Sequence, residues 1–300
     1  MTEEARLKVA LAEIVGSVES TLKGLLPIGE GPEARLCEAM AYSTLDGGKR
    51  LRPFLAVQTA RLFDVPDPQS LRAGAAIELM HCYSLVHDDL PTMDNDDLRR
   101  GKPTNHIKFD EATAILTGDA LQALAFEVLA DPATHPDGTV RATLVAALAS
   151  AAGARGMVGG QMYDLAAEAA TEPFDLEQIT QLQRMKTGRL FDISCQAGAI
   201  LGQASPAERQ VLADYTKALG LAFQIADDIL DEIGDAKQTG KPVGKDAAAG
   251  KATFISHLGL ETARERAKIL SLQASEALEC FGIRAEFLKA AAQFIVNRRS

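Results

Sequence analysis

Helical periodicity is the property that most restricts how this chain can fold. Apolar residues recur at three- and four-residue spacing along nearly all of it, and alternation with a period of two is hard to find. Candidate helices cover about 3–24, 33–46, 51–63, 69–89, 111–130, 139–164, 175–202, 206–232, 247–257, 260–280 and 284–298. Breakers separate them: P-I-G-E-G-P at 27–32, V-P-D-P at 65–68, D-P-A-T-H-P-D-G at 131–138 and T-E-P at 171–173. Asp67 and Ser205 each precede a proline and are placed to cap a helix that has Pro at its first position. Segments 139–152 and 211–226 are apolar nearly all round, so other helices must surround them. The expectation is an all-α fold, a layered helical bundle forming a single domain over residues 1–300.

Composition agrees. Hydrophobic residues make up 47% of the chain, yet aromatics are only 5% and Trp is absent. Packing must therefore rest on Ala, Leu, Ile and Val, and alanine runs such as that at 142–152 favour helix over strand. The net charge of −10 and pI near 5.1 argue against a nucleic-acid partner, which needs a broad basic footprint. They leave room for a small anion held by a few local cations or by metal ions. Cys37, Cys82, Cys195 and Cys280 form no C-x-x-C pair, the pattern of reduced, mostly buried thiols. The start, M-T-E-E-A-R, shows no secretory signal, and the apolar runs, near a dozen residues long, look too short for a bilayer. A soluble cytoplasmic protein without a membrane span is expected.

Charge concentrates in two aspartate clusters, each following an apolar helix. The first is D-D-L-P-T-M-D at 88–94, with Asp96, Asp97, Arg99 and Arg100 behind it. The second is D-D-I-L-D at 227–231. Asp227 and Asp231 are one helical turn apart and share a face, able to present two carboxylates to one cation. Asp88 and Asp94 would stand about 120° out of register on a regular helix. Pro91 cannot continue the hydrogen-bond ladder, so the chain should loosen there and swing Asp94 back. Carboxylates entering a core are costly unless paired or metal-bound. Without paired His or Cys, such sites suit Mg²⁺, Mn²⁺ or Ca²⁺ rather than Zn²⁺, and the sparse ligands match Mg²⁺ held partly by substrate phosphates.

Cations gather near turns. G-G-K-R-L-R-P at 47–53 sets Lys49, Arg50 and Arg52 at a helix start, an anion site in outline but not a P-loop. Lys186 in M-K-T-G-R, Lys241 in T-G-K-P and Lys251 in G-K-A-T-F recur beside glycines. His81, two turns before Asp88, reads on its own as a core histidine. A diphosphate held through Mg²⁺ is the inferred ligand, with hydrolysis, phosphoryl transfer and loss of diphosphate from carbon all open. The lack of an obvious Ser-His-Asp or Cys-His nucleophile gives weight to the last.

From about residue 40 to 255 these motifs resemble the short-chain trans-prenyl diphosphate synthases of the polyprenyl synthetase family. The match runs through G-G-K-R-L-R-P, S-L-V-H-D-D-L-P-T-M-D-N-D-D-L-R-R-G-K-P-T at 84–104, L-T-G-D-A-L, G-G-Q-M-Y-D-L, M-K-T-G, F-Q-I-A-D-D-I-L-D and G-K-D…G-K-A-T-F. The resemblance implies an isoprenoid-synthase bundle with a central cavity and a homodimer. It implies three Mg²⁺ ions, with Mn²⁺ as a substitute, on Asp88, Asp94 and Asp227, with Asp89 and Asp231 assisting. Arg99, Lys186 and Lys241 would grip the allylic diphosphate. Lys49, Arg52, His81 and Arg100 would bind isopentenyl diphosphate, which changes the reading of His81. Thr187 and Gln224 would turn oxygen dipoles toward an allylic cation. Tyr83 and Ser84, five and four residues before Asp88, would set the cavity floor. Together with the longer D-D-x-x-x-x-D spacing they resemble the bacterial farnesyl type. A geranylgeranyl or geranyl product and a noncatalytic regulatory subunit are the alternatives. A terpene cyclase is disfavoured because it would not need Lys49 and Arg52.

Overall fold

A computed structural model describes residues 2–45, 47–233 and 253–297. Helix α1, Glu3–Leu25, starts on Thr2, whose hydroxyl accepts from the Ala5 N–H, and buries Leu7, Ala10, Ile14, Val18 and Leu22 along one stripe. Then come α2 (Ala34–Thr44), α3 (Leu51–Leu62) and α4 (Asp67–Asp88). A short hairpin pairs Leu98–Arg99 with Lys102–Pro103 through Arg100 and Gly101, both with positive φ as a tight two-residue turn requires. Next are α5 (Asn105–Lys108), α6 (Glu111–Ala130), α7 (Gly138–Ala152), α8 (Met157–Glu168), α9 (Leu176–Gln183), α10 (Arg189–Leu201) and α11 (Pro206–Ile233). Helices α12 (Phe254–Leu258), α13 (Leu260–Ala277) and α14 (Glu286–Asn297) follow, with a 3₁₀ segment, Glu279–Ala285, before the last.

The all-α expectation holds. Helices α3, α4 and α10 are the most deeply buried and pack on one another at the centre, with α1, α6, α7 and α11 around them. A smaller cluster, Ile179, Ala222, Ile225, Phe254, Ala263, Ala267 and Leu270, ties α9, α11, α12 and α13 together. Cys82 and Cys195 are buried free thiols, pushed up to about 12 by that burial.

The structure departs from the periodicity in particular places. The stretch expected as one helix over 139–164 is two, because G-A-R-G at 153–156 turns the chain between α7 and α8. The stretch over 175–202 is continuous but carries a π-turn, Arg184–Gly188, between α9 and α10. Ser205 caps α11 reciprocally with Glu208, as expected. Asp67 instead lies inside α4, its carboxylate taken by Arg61 at 2.7 and 3.0 Å. Two stretches, Glu111–Ala130 and Gly138–Glu168, are by length and composition apolar enough to cross a membrane, longer than the expected dozen residues. Only 39% and 33% of their most apolar windows are buried, so the bundle carries a partly uncovered apolar surface.

Candidate active site

Two cavities meet in the middle of the bundle. The larger, about 1020 Å³, runs between α4 and α8 and ends at the π-turn. Asp88, Lys186 and Thr187 line it, with Tyr83 and Ser84 along the α4 wall. Much of the rest is apolar, including Met93, Met157, Met162, Met185 and Phe174. The smaller, about 500 Å³, gathers Lys49, Arg52, His81 and Arg100 with Asp227 and Phe191. Arg52 and His81 belong to both.

The first aspartate cluster is shaped by the end of α4. Beyond Asp88 the chain folds back, so that the Asp94 N–H donates to the Asp88 carbonyl at 2.8 Å. This is the return that Pro91 was expected to produce. The two carboxylates repel, and burial pushes Asp88 up to about 6 despite the nearby Lys186 ammonium. Asp94 is exposed. Asp89 points the other way: it is 3% exposed and receives a bidentate pair of bonds from Arg99, Nε at 2.8 and 2.9 Å and Nη2 at 2.5 Å. Arg99 is thereby engaged by an aspartate of its own motif. On α11, Asp227 and Asp231 are half-buried on one face. Asp228 is buried on another and accepts the Phe254 N–H at 2.8 Å, fixing the start of α12.

The π-turn carries Lys186 and Thr187, and its position depends on α8. A β-carbon on Gly160 would stand 2.2 Å from the Lys186 backbone nitrogen, so only glycine permits this approach. The contact lets Lys186 Nζ reach Asp164 Oδ2 at 2.5 Å. Gln161, one turn earlier and on the cavity wall, has a buried Nε2 with no hydrogen-bond partner. Gly160, Gln161 and Asp164 were not singled out from the sequence, although all lie in G-G-Q-M-Y-D-L, where spacing placed Gln161 and Asp164 on one helical face.

In the small cavity the Arg100 guanidinium lies so close to the glycine turn that a β-carbon on Gly48 would come within 2.9 Å of it. Arg52 stacks its guanidinium 5.0 Å from the Phe191 ring, and its Nε is buried without a hydrogen bond. Burial lowers Arg52 from its usual value, with Glu78 and Asp227 opposing. His81 is driven well below the usual imidazole range by burial and by Arg52, Arg100, Arg99 and Arg50, so it is neutral. Tyr83 is buried, stacks edge-on against His87 with centroids 5.3 Å apart, and is raised by burial and by Asp88. Gln224, three residues before Asp227, is half-buried and lines neither cavity. Lys241 lies outside the described residues, as do Lys251 and the end of the C-terminal N-R-R-S.

Among the described residues no three His, Cys, Asp or Glu side chains converge on a ready-made metal site. The donors fit Mg²⁺ nonetheless: a raised, half-buried Asp88 beside Asp94 and a carboxylate pair on α11 supply a few oxygens, and Mg²⁺ completes its shell with water and phosphate.

A helical bundle with aspartates at the ends of two apolar helices and a cationic pocket beside a large apolar cavity defines a diphosphate-handling enzyme of the isoprenoid-synthase fold. The family model "Polyprenyl synthetase" matches residues 33–281, and the chain belongs to that family. It is 45% identical to the farnesyl diphosphate synthase of Escherichia coli over 267 residues, covering 87% of this chain and 88% of the other. It is 46% identical to the farnesyl diphosphate synthase of Geobacillus stearothermophilus over 83% and 84% of the two chains. The crystal structure of an FPP/GFPP synthase from Zymomonas mobilis superposes with a TM-score of 0.90 at 50% identity, over 98% and 99% of the two chains.

Proposed function

We propose that this enzyme condenses isopentenyl diphosphate head to tail with dimethylallyl and then geranyl diphosphate, giving farnesyl diphosphate. The observation that carries this reading is the meeting, at Arg52 and His81, of a large, mostly apolar cavity that holds Asp88 and Lys186 with a smaller cationic one. Two substrates can lie there with their reacting carbons facing each other.

In this reading Asp88, Asp94 and Asp227 hold Mg²⁺, three ions in all, with Asp89 and Asp231 in support and Mn²⁺ as a substitute. Bound Mg²⁺ neutralises the allylic diphosphate and eases its departure. Lys186, Arg99 and Lys241 grip that diphosphate; Lys186 leaves Asp164 and Arg99 leaves Asp89 to do so. The carbon–oxygen bond breaks with its electron pair going to the leaving group. Thr187, on the cavity wall, turns its oxygen dipole toward the allylic cation, Gln224 joins it only by turning inward from outside the cavity lining, and the apolar lining keeps water away. Isopentenyl diphosphate, held by Lys49, Arg52, His81 and Arg100, supplies the double bond that attacks. The released diphosphate takes the proton lost from the adduct.

Tyr83, with Ser84 beside it, stops the growing chain. A second reading, a geranylgeranyl product, is favoured by the four methionines in the wall, since such side chains repack easily around a longer chain. A geranyl product or a regulatory subunit without activity are the remaining alternatives. Chain length measured with labelled isopentenyl diphosphate and each allylic starter decides: C15 from the native chain and longer products from Tyr83→Ala support the reading. C20 from the native chain removes Tyr83 as the stop, and no condensation with any starter leaves the regulatory role.

The same proposal makes residues 1–300 one domain of a cytoplasmic homodimer. The partly uncovered apolar surface of α6 and α8, including Ile115 and Leu116 at 46% and 55% exposure and Met162 at 65%, is where a second copy would sit. Light scattering of the purified chain tests this, and a monomer at micromolar concentration refutes it.

A further inference from the structure

Arg50 is the cation of G-G-K-R-L-R-P that the substrate reading leaves without a task. Its side chain is wholly buried and its nitrogens are all engaged. Nε donates to Glu19 Oε1 at 2.8 Å, Nη1 to Glu78 Oε1 at 2.6 Å, and Nη2 to the Thr44 carbonyl at 2.5 Å and again to Glu19. These partners lie on α1, at the end of α2 and on α4, so one guanidinium joins three helices to the turn before α3.

The backbone at Arg50 is left-handed, φ 47° and ψ 36°, a conformation that only glycine adopts without strain. Its carbonyl accepts the Phe54 N–H at 3.0 Å and so opens α3. Glycine here would fit the dihedrals but could not reach three helices. Lys49 on one side and Arg52 on the other both line the small cavity. Glu78, one turn before Cys82 on α4, binds Arg50 and attracts Arg52 as well. Buried ion pairs add little stability over apolar residues of the same shape, and their best-attested use is to fix one arrangement.

We propose that Arg50 is a positioning residue for isopentenyl diphosphate: through Glu19, Glu78 and the Thr44 carbonyl it locks the strained turn that aims Lys49 and Arg52 into the small cavity. The proposal rests on reading that cavity as the isopentenyl diphosphate site. Arg50 and Glu78 also stand in the wall of that cavity, but four of the five Arg50 N–H donors go to protein oxygens, so its action on the substrate runs through the turn. Lysine could not replace it, because a single ammonium lacks the fork that serves three partners.

The test is steady-state kinetics of the full chain with Mg²⁺, each substrate varied in turn. Arg50→Lys and Glu78→Gln are expected to raise the KM for isopentenyl diphosphate on the order of tenfold, while the allylic KM stays within about twofold. Glu19, more exposed than the other partners, provides a milder Glu19→Gln variant should those two fail to fold. The deciding measurement places Glu19→Gln in a Lys49→Ala/Arg52→Ala background, where it should add nothing further to that KM. If it adds its full effect there, or if all three variants raise both KM values equally as melting temperature falls, Arg50 is only a structural brace and the positioning role is overturned. If Lys49→Ala and Arg52→Ala themselves leave the isopentenyl KM unchanged, the cavity assignment fails first, and Arg50 with it.

Discussion

The two cavities handle buried charge in opposite ways. Around the small one, the guanidinium with no exposure, Arg50, has two protein carboxylates of its own. Arg52 nearby keeps a buried Nε without a hydrogen bond. Around the large one, a half-buried carboxylate, Asp88, is pushed up to about 6 chiefly by its burial, with Lys186 opposing and Asp94 repelling it. The small site offers a guanidinium with an unused donor, and the large one a carboxylate held in a raised state despite the Lys186 ammonium. A bare diphosphate suits the first and a diphosphate already carrying metal ions suits the second, so charge alone can sort two chemically similar substrates.

The largest effect that could break this contrast comes from Asp88→Ala. Turnover should fall by roughly a thousandfold, the scale of losing a group that stabilises charge on the departing oxygen. Calorimetric affinity for isopentenyl diphosphate should be nearly unchanged. If both are lost together, the cavities are not independent sites and the contrast collapses. Arg52→Ala is the mirror experiment. A charge-assisted hydrogen bond is worth about 1.5–3 kcal/mol, so the isopentenyl KM should rise roughly ten- to a hundredfold. Because Arg52 reaches both cavities, a smaller rise in the allylic KM is also expected.

Acid sharpens the comparison. A carboxyl raised to about 6 holds its proton below that pH, and Mg²⁺ must displace it. Mg²⁺ affinity should therefore weaken by about tenfold per unit as pH falls below 6, and be flat above 7 where the carboxylate is ionised. Stability without metal runs the opposite way: ionised Asp88 disfavours the fold above about 6, and the penalty fades as pH drops, so the metal-free protein gains stability as Mg²⁺ affinity is lost. Magnesium titrations between pH 5 and pH 8 check this. An affinity that does not change across that range would show that Asp88 carries no metal-linked proton.

How much of this was legible beforehand differs between the two regions. The helices, the paired carboxylates on α11 and the return of Asp94 follow from period and from Pro91, which are local properties. Lys49, Arg52, His81 and Arg100, grouped by the family resemblance and not by the residues alone, do line one cavity. What spacing could not give was the partner of each charge. Arg99 on Asp89, Arg50 on Glu19 and Glu78, and Lys186 on Asp164 join residues ten or more positions apart, and such pairings depend on how helices cross. The π-turn was hidden for a related reason. Its extra residue leaves the apolar period nearly intact and shows only in the approach of Gly160.

The smallest effect concerns one of those hidden pairs. Asp164 holds Lys186 at 2.5 Å from the α8 side, while Asp88 attracts the same ammonium from α4. Without substrate, Lys186 is therefore shared between a wall of the cavity and the metal-binding end. Asp164→Asn keeps the shape and removes the competing charge. Lys186 would move toward the diphosphate more readily, but with less help in holding its direction, and these consequences oppose each other. A change of only about threefold in the allylic KM is expected, with the isopentenyl KM untouched. The pH profile carries the sharper signal: with Lys186 freed to face Asp88, the acid limb should move to lower pH. A limb that stays in place would mean that Lys186 and Asp88 do not sense each other, and that the large cavity's carboxylate has no counter-charge on the π-turn.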